Sequence, residues 1–249
     1  MSVDRALVLA GARPGVDPLA AYAGVAQKPL IPVAGAPMLA RVVSALRAAG
    51  FARIGVSTAD AAVGDLARDL GCEVLAAEAG PSLSALRGVE ALGTPVLVTT
   101  ADHALLRPEW VRGFVEDAPA DADISVLLAE RAVVAAAAPG ARRTYLRFAD
   151  GDWSGCNLFL VRGPKALGAI RLWSELEADR KTPWRIVRRL GPLTLLGYLL
   201  RTLTLQAALS RLSALSGATA AAVASPFGLA AVDVDKPADL DLVRRLAAE

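Results

Sequence analysis

The stretch ALVLAG, Ala6 to Gly11, decides how this chain is read. Five apolar residues running straight into a glycine describe a strand buried on both faces that feeds a loop, the mark of a parallel sheet. Working outward, the pattern alternates. Pro37 to Ala49 (PMLARVVSALRAA) spaces Met38, Val42, Val43 and Leu46 at helical intervals and stops at Gly50, a natural C-terminal position. Ile54 to Ser57 is a second strand, a helix follows near Asp60 to Leu70, then a strand at Glu73 to Ala76 and a helix at Ser82 to Leu92. Pro95 to Thr100 (PVLVTT) is another strand. Strands and helices alternating at these lengths predict right-handed βαβ units and an α/β fold, its parallel sheet covered on both faces. Ligands of such sheets sit beyond the carboxyl ends of the strands.

After Ala122 the rhythm changes. Ile124 to Leu128, Tyr145 to Phe148 and Asn157 to Val161 read as strands, so a mixed sheet is expected there. Lys165 to about Leu215 is mostly helical, broken near Pro183, Gly191 and Pro192, and Ala230 to Val234 is expected as a closing strand. The last helix starts near Pro237. There is no internal repeat and no low-complexity linker, and Ala132 to Ala138 (AVVAAAA) carries no signal. The expectation is one domain of 249 residues with a helical insertion at about 165–215.

Charge and cysteine usage narrow the classes. The 27 basic and 25 acidic residues leave a net charge of +2, so no global field argues for nucleic acid as a partner. Cys72 and Cys156 lie far apart with no CxxC spacing, which offers neither a disulfide framework nor a zinc site and fits a reducing compartment. The first residues enter an apolar strand without the order of a signal peptide, and a cytoplasmic protein is expected.

Four segments carry chemistry. The first is LVLAGARPG, Leu7 to Gly15, with Lys28 downstream in QKPLIPVAGAPML. Gly11 lets the backbone turn at the strand end, where amides can face phosphate oxygens, and Arg13 and Lys28 can bind a triphosphate as cations. The bland alternative is a strand-to-helix turn with solvated cations, and the Walker pattern is absent. The second is GPSLSAL, Gly80 to Leu86, where Ser82 suits a helix cap. A nucleotide base lying there would use Gly80 for close approach and Ser84 for a hydrogen bond. The third, PVLVTTADHALL, places Asp102 at the carboxyl edge of a strand, where burial without a cation is costly and a hard Mg²⁺ satisfies it. His103 beside it reads as a metal neighbour or base, or more plainly as a hydrogen-bonding surface group. The fourth is AVDVDKPADL, Ala231 to Leu240: Asp233 and Asp235 are two apart, on one face of a strand, able to approach one cation. Pro237 fits the first turn of the following helix and Asp239 its positive end.

In chain order these segments resemble the MobA-like NTP transferases, relatives of the molybdenum cofactor guanylyltransferases and of sugar-phosphate nucleotidyltransferases. That family opens with LAGG, an Arg and then Lys-x-Leu, against LAGA (Leu9, Ala10, Gly11, Ala12) with Arg13 and Lys28 here. Its central strand ends in a metal-binding Asp, matched by Asp102, and its DxDTPEDL motif is matched by DVDKPADL. The resemblance implies a GT-A-like, Rossmann-related fold of three α/β/α layers, of the nucleotide-diphospho-sugar transferase kind. It implies Mg²⁺ held by Asp102 and Asp235 (or Asp233), with Lys28 and Arg13 neutralising the phosphates of an NTP. A phosphorylated acceptor then attacks the α-phosphorus and displaces pyrophosphate. Ala12 for the second glycine, a longer loop to Lys28, and Lys236 in place of Thr are the departures.

Residues 165–215 fall outside that resemblance. Arg180 to Arg189 (RKTPWRIVRR) combines cations with Trp184, and a strongly apolar helix interrupted by Arg201 is expected over Leu193 to Leu209. Such a segment suits a phosphorylated acceptor, an anionic membrane surface, a homodimer interface or a helical cap on the sheet. Two rival functions stand beside nucleotidyl transfer: a GT-A glycosyltransferase, since Asp233 to Asp235 is formally a DxD sequence, and a nucleotide-binding module that has lost catalysis.

Overall fold

The computed structural model describes residues 3–11, 15, 17–179, 189 and 191–248. Strand β1, Arg5–Leu9, lies in the middle of the sheet, with Ala6, Leu7 and Val8 wholly buried. It pairs in parallel with β4 (Arg53–Thr58) on one side and with β6 (Val96–Thr100) on the other. Beyond β4 lies β5 (Glu73–Ala76), also parallel. The direction changes past β6. Strand β9 (Gly151–Val161) runs antiparallel between β6 and β7 (Ile124–Glu130), β10 (Ala220–Ala224) runs parallel to β7 at the edge, and β8 (Leu146–Phe148) pairs with the start of β9. The mixed directions expected after Ala122 come from β9. Strands β2 (Pro32–Val33) and β3 (Ala36–Pro37) form a separate small hairpin.

Side-chain alternation on β1 divides the core into two layers. Ala6 and Val8 join the cluster with α2 (Met38–Ala48), α3 (Ala61–Asp69) and α5 (Pro108–Asp117), including Leu39, Val63 and Phe114. Leu7 faces the other way, onto Ala85 and Val89 of α4 (Pro81–Leu92) and Ile170 of α7 (Ala166–Ala178). The sheet is therefore covered on both faces. Helix α7 starts inside the segment expected as an insertion, yet it belongs to this second layer through Ala166 and Ile170. The helix signals operate as the sequence suggests. Asp60 caps α3 by accepting from the Val63 N–H at 3.0 Å, and α2 is followed by Gly50 at φ 102°.

Several expectations need correction. Ala230 to Val234 is not a strand: Gly228–Ala231 is a 3₁₀ turn packed against α6 (Arg131–Ala137), and Val232 to Val234 is a buried extended stretch outside the ladder. A Cβ at Gly228 would lie 2.2 Å from the Val133 carbonyl oxygen, so this close turn needs a glycine. The strand beside β7 is the alanine-rich β10 instead. Ser82 does not cap α4, whose N-cap is Gly80 without a side-chain bond. The single helix expected over Leu193 to Leu209 is two, Pro192–Leu199 (α8) and Leu205–Ser216 (α9), and Thr204 restarts the second by accepting from the Ala207 N–H. Among the described residues no helix is long and apolar enough to cross a membrane.

Candidate active site

Parallel strands β1 and β6 end side by side, tied by Ala101 N–H to the Leu9 carbonyl at 3.0 Å, and β1 is tied to β4 by Ala10 N–H to the Ser57 carbonyl at 2.9 Å. The chain leaving β6 thus delivers Asp102 to the carboxyl edge of the sheet. Thr100 bonds one Asp102 oxygen through Oγ1 at 2.5 Å, and the other oxygen meets Lys28 Nζ at 2.6 Å. The opposite wall comes from the far end of the sequence. Val234 N–H donates to the Asp102 carbonyl at 3.2 Å, which brings Asp233 and Asp235 to the same edge. Lys28 Nζ also reaches Asp235 Oδ1 at 3.0 Å. The carboxylates of Asp102, Asp233 and Asp235 gather with ligand oxygens within 4.8 Å of one another. The structure thus brings acids from two distant stretches of chain, Asp102 and the Asp233/Asp235 pair, to one sheet edge with Lys28.

The three acids differ in surroundings. Burial pushes Asp102 toward the neutral form, but the Lys28 ammonium, the Thr100 hydroxyl and the neighbouring His103 outweigh it and hold its pKa below the usual carboxylate range. Burial likewise opposes charge on Lys28, and the Asp102 and Asp235 carboxylates overcome it, leaving its pKa raised. Asp233 goes the other way: burial and the nearby Asp102 charge raise it more than Arg143 lowers it. Asp233 is paired with the Arg143 guanidinium and accepts from Asn157 Nδ2 at 2.7 Å. The Asp235 side chain is 57% exposed. The DxD pair is therefore split by function of contact, although the residues are two apart: Asp233 turns to Arg143 and Asn157, Asp235 toward Lys28 and solvent.

Arg143 and Asn157 carried no signal in the sequence reading. Arg143 sits in the segment after α6, and Asn157 lies in β9 next to the register shift that β9 makes against β7. Its φ of 51° is a left-handed conformation that asparagine tolerates better than most residues. Gln27, also unflagged, donates to Asp60 at 2.9 Å and so ties the 3₁₀ turn of Lys28–Leu30 to the start of α3.

The remaining candidates fall as follows. Leu9, Ala10 and Gly11 lie at the β1 terminus, with open space where a Gly11 Cβ would be, but the left-handed glycine of this loop is Gly15, at φ 100°. Ala12 and Arg13 lie outside the described residues. Gly80 and Ser84 sit at the start of α4. A carboxylate from α7, Glu177, meets Ser82 there and stands 3.1 Å from where a Gly80 Cβ would be, while Ser84 Oγ accepts from the Glu78 N–H at 2.9 Å. His103 is not a surface group: it is buried, its ring 6.2 Å from Trp110, and burial pulls its pKa down to about 4 despite Asp102. Asp239 does what a helix-stabilising acid should, accepting from the N–H groups of Asp235 and Lys236 at 3.2 and 3.0 Å at the start of α10 (Pro237–Leu246). Both cysteines are buried and free.

A hypothetical transferase from Thermus thermophilus is 29% identical with a TM-score of 0.79, covering 96% of this chain and 100% of its own. A CMP:2-keto-3-deoxy-manno-octonic acid synthetase complexed with CTP, at 19% identity and TM-score 0.58, covers 98% of both chains. The 4-diphosphocytidyl-2C-methyl-D-erythritol synthase of Anaerococcus prevotii, at 10% identity and TM-score 0.60, covers 98% of this chain and 96% of its own. The last two share the fold. No curated protein matches the chain. The profile of the MobA-like NTP transferase domain matches residues 6–192, well over half the sequence and including Lys28 and Asp102. The chain belongs to the MobA-like NTP transferase domain family.

Proposed function

We propose that this protein transfers a nucleoside monophosphate from an NTP to a small phosphorylated acceptor, releasing pyrophosphate, with Mg²⁺ as the required ion. The observation that carries the reading is the meeting of Asp102, Asp235 and Lys28 at the carboxyl edge of β1 and β6. A cationic atom, Lys28 Nζ, already stands within 3.0 Å of an oxygen from each of those two acids, so the donors suit a small hard cation. Asp233 is engaged by Arg143 and Asn157, which favours Asp102 with Asp235 as the pair that would hold Mg²⁺. The bound ion would supply charge neutralisation at the phosphates and orient them.

The chain's own groups account for the remaining work. Lys28 can shift from Asp235 toward the triphosphate and neutralise negative charge there, and Arg13 is proposed to assist. Leu9, Ala10, Gly11 and Ala12 would present backbone to the phosphates, with Gly80 and Ser84 at the base. A base at Gly80 would have to share the α4 start with Glu177. An acceptor phosphate oxygen bonds to the α-phosphorus as the bond to the bridging β-phosphate oxygen breaks and pyrophosphate leaves. Catalysis is positioning and electrostatic stabilisation, with no covalent protein nucleophile.

The test is a pyrophosphate-release screen of the four NTPs with Mg²⁺ against sugar phosphates, alditol phosphates and cofactor precursors. CTP is the natural first donor, since the CMP-sugar acid synthetase of similar fold is complexed with it. Acceptor-dependent release is expected, and Asp102→Ala is expected to lower it at least about a hundredfold while far-UV circular dichroism stays native. Full activity in that variant removes the metal assignment; failure to release pyrophosphate with any NTP and acceptor pair removes the reaction.

A further inference from the structure

Helix α8 is a short element with an apolar side left exposed among the described residues. Leu193 is 81% exposed, Leu199 68%, Leu200 64% and Leu196 51%. Leu193, Leu196 and Leu200 follow three- and four-residue spacing, so they share one face. Tyr198 points from the opposite side and holds the helix down: its ring packs edge-on against Phe148 at 5.6 Å, and its hydroxyl accepts from the Arg147 N–H at 3.4 Å. The chain after the helix is fastened to the same hairpin, through Ala149 N–H to Leu203 at 2.9 Å and Leu205 N–H to Asp150 at 2.9 Å. On β8 itself Leu146 is a further exposed apolar side chain. Exposed leucines fixed in place by polar and aromatic contacts behind them mark an interaction surface.

Charge selects the occupant. Between Asp179 and Asp233 the sequence holds seven of the chain's 27 basic residues and none of its 25 acidic ones, although the whole chain is only +2. Exposed Arg147 and Arg201 border the leucine face among the described residues. A second copy docking face to face would bring Arg147 and Arg201 toward their own counterparts, at a Coulombic cost. An anionic bilayer offers both partners at once, acyl chains for the leucines and headgroup charge for the arginines. The segment holding Arg143, the partner of Asp233, runs directly into β8.

We propose that α8, with the adjoining β8, docks on an anionic lipid bilayer, inserting Leu193, Leu196, Leu199 and Leu200 among the headgroups. The inference is independent of nucleotidyl transfer and is read without a turnover assay. Full-length protein is co-sedimented with phosphatidylcholine vesicles and with vesicles that also contain phosphatidylglycerol, at low and high salt. Partition onto the phosphatidylglycerol vesicles that weakens with salt is expected, and the triple variant Leu193→Glu/Leu196→Glu/Leu199→Glu is expected to bind about a hundredfold less with native circular dichroism. Should that variant misfold, Leu193→Ala/Leu199→Ala serves in its place, with partition falling about tenfold or more. Arg147→Ala/Arg201→Ala should weaken binding to anionic vesicles alone. Absence of wild-type partition, or undiminished partition of a folded leucine variant, overturns the proposal. So does a dimer in sedimentation equilibrium that the leucine variants split.

Discussion

Three carboxylates with oxygens inside 4.8 Å repel one another, and the residues around them decide what each can do. Among the described residues the Asp235 carboxylate is bound from the Lys28 side and faces solvent, whereas Asp233 is enclosed by Arg143 and Asn157. Neutralising each acid should therefore have opposite signatures. Asp235→Asn is expected to leave the melting temperature within about a degree of wild type, since exposed ion pairs contribute little. The same change should raise the Mg²⁺ concentration for half-maximal pyrophosphate release at least about tenfold. Asp233→Asn leaves the Arg143 guanidinium without its charge partner in a site that is mostly closed to water. A loss of about 1–3 kcal/mol is expected, read as a midpoint shift in urea unfolding. If Asp233→Asn instead raises the Mg²⁺ requirement and spares stability, the two acids have exchanged roles. Asp102 and Asp235 were legible from sequence because an acid that follows an apolar run is conspicuous, and Lys28 because it falls where the resembled family has Lys-x-Leu. Arg143 and Asn157 were not, because one is an arginine in a loop and the other a polar residue within a strand. Each joins the site only by meeting Asp233 across 90 and 76 residues of chain.

Among the elements, those readable in advance announce their ends. Asp60 before α3, Gly50 after α2 and Pro237 at the start of α10 each satisfy or forgo a backbone group that a helix terminus leaves open. Strand β10 announces nothing: AAAVA has little preference for a strand and becomes one by lying beside Ile124 to Leu128 of β7. The apolar run Ala230 to Val234 looks more like a strand and is not, because burial alone does not separate a ladder from an extended segment. Helix packing is equally hidden in sequence and rests on particular glycines. Gly168 of α7 is one, where an added Cβ would fall 2.2 Å from the Ser216 carbonyl oxygen at the end of α9. Gly168→Ala should force those helices apart and cost about 1–3 kcal/mol. Gly113 in α5 has no atom within 4 Å of that position, so Gly113→Ala should be neutral or stabilise by up to about 1 kcal/mol. Comparable thermal melts for the two variants would show that α7 and α9 do not depend on this contact.

Across the whole molecule the cluster is assembled from positions 28, 102 and 235, and the last lies beyond the family match at residues 6–192. The C-terminal stretch that closes the site is held to the sheet edge by the Val234 to Asp102 backbone bond and by the Arg143 and Asn157 contacts to Asp233, and Asp239 caps the helix that follows. Unfolded chain cannot present these three groups together, so a ligand that bridges them binds the folded state alone and must stabilise it. At a hundred times its dissociation constant such a ligand contributes about 2.7 kcal/mol, which for a chain of this size is a rise of roughly 5–10 °C in melting temperature. The expected result with the preferred NTP is a shift of that order only when Mg²⁺ is present, with Mg²⁺ alone giving much less, because two carboxylates bind it weakly without phosphate oxygens. Asp235→Asn should lose most of the Mg²⁺-dependent part. An NTP that stabilises equally in EDTA would show that Lys28 and the β1 loop bind phosphate without a metal, and the acids would then serve only to hold Lys28 in place.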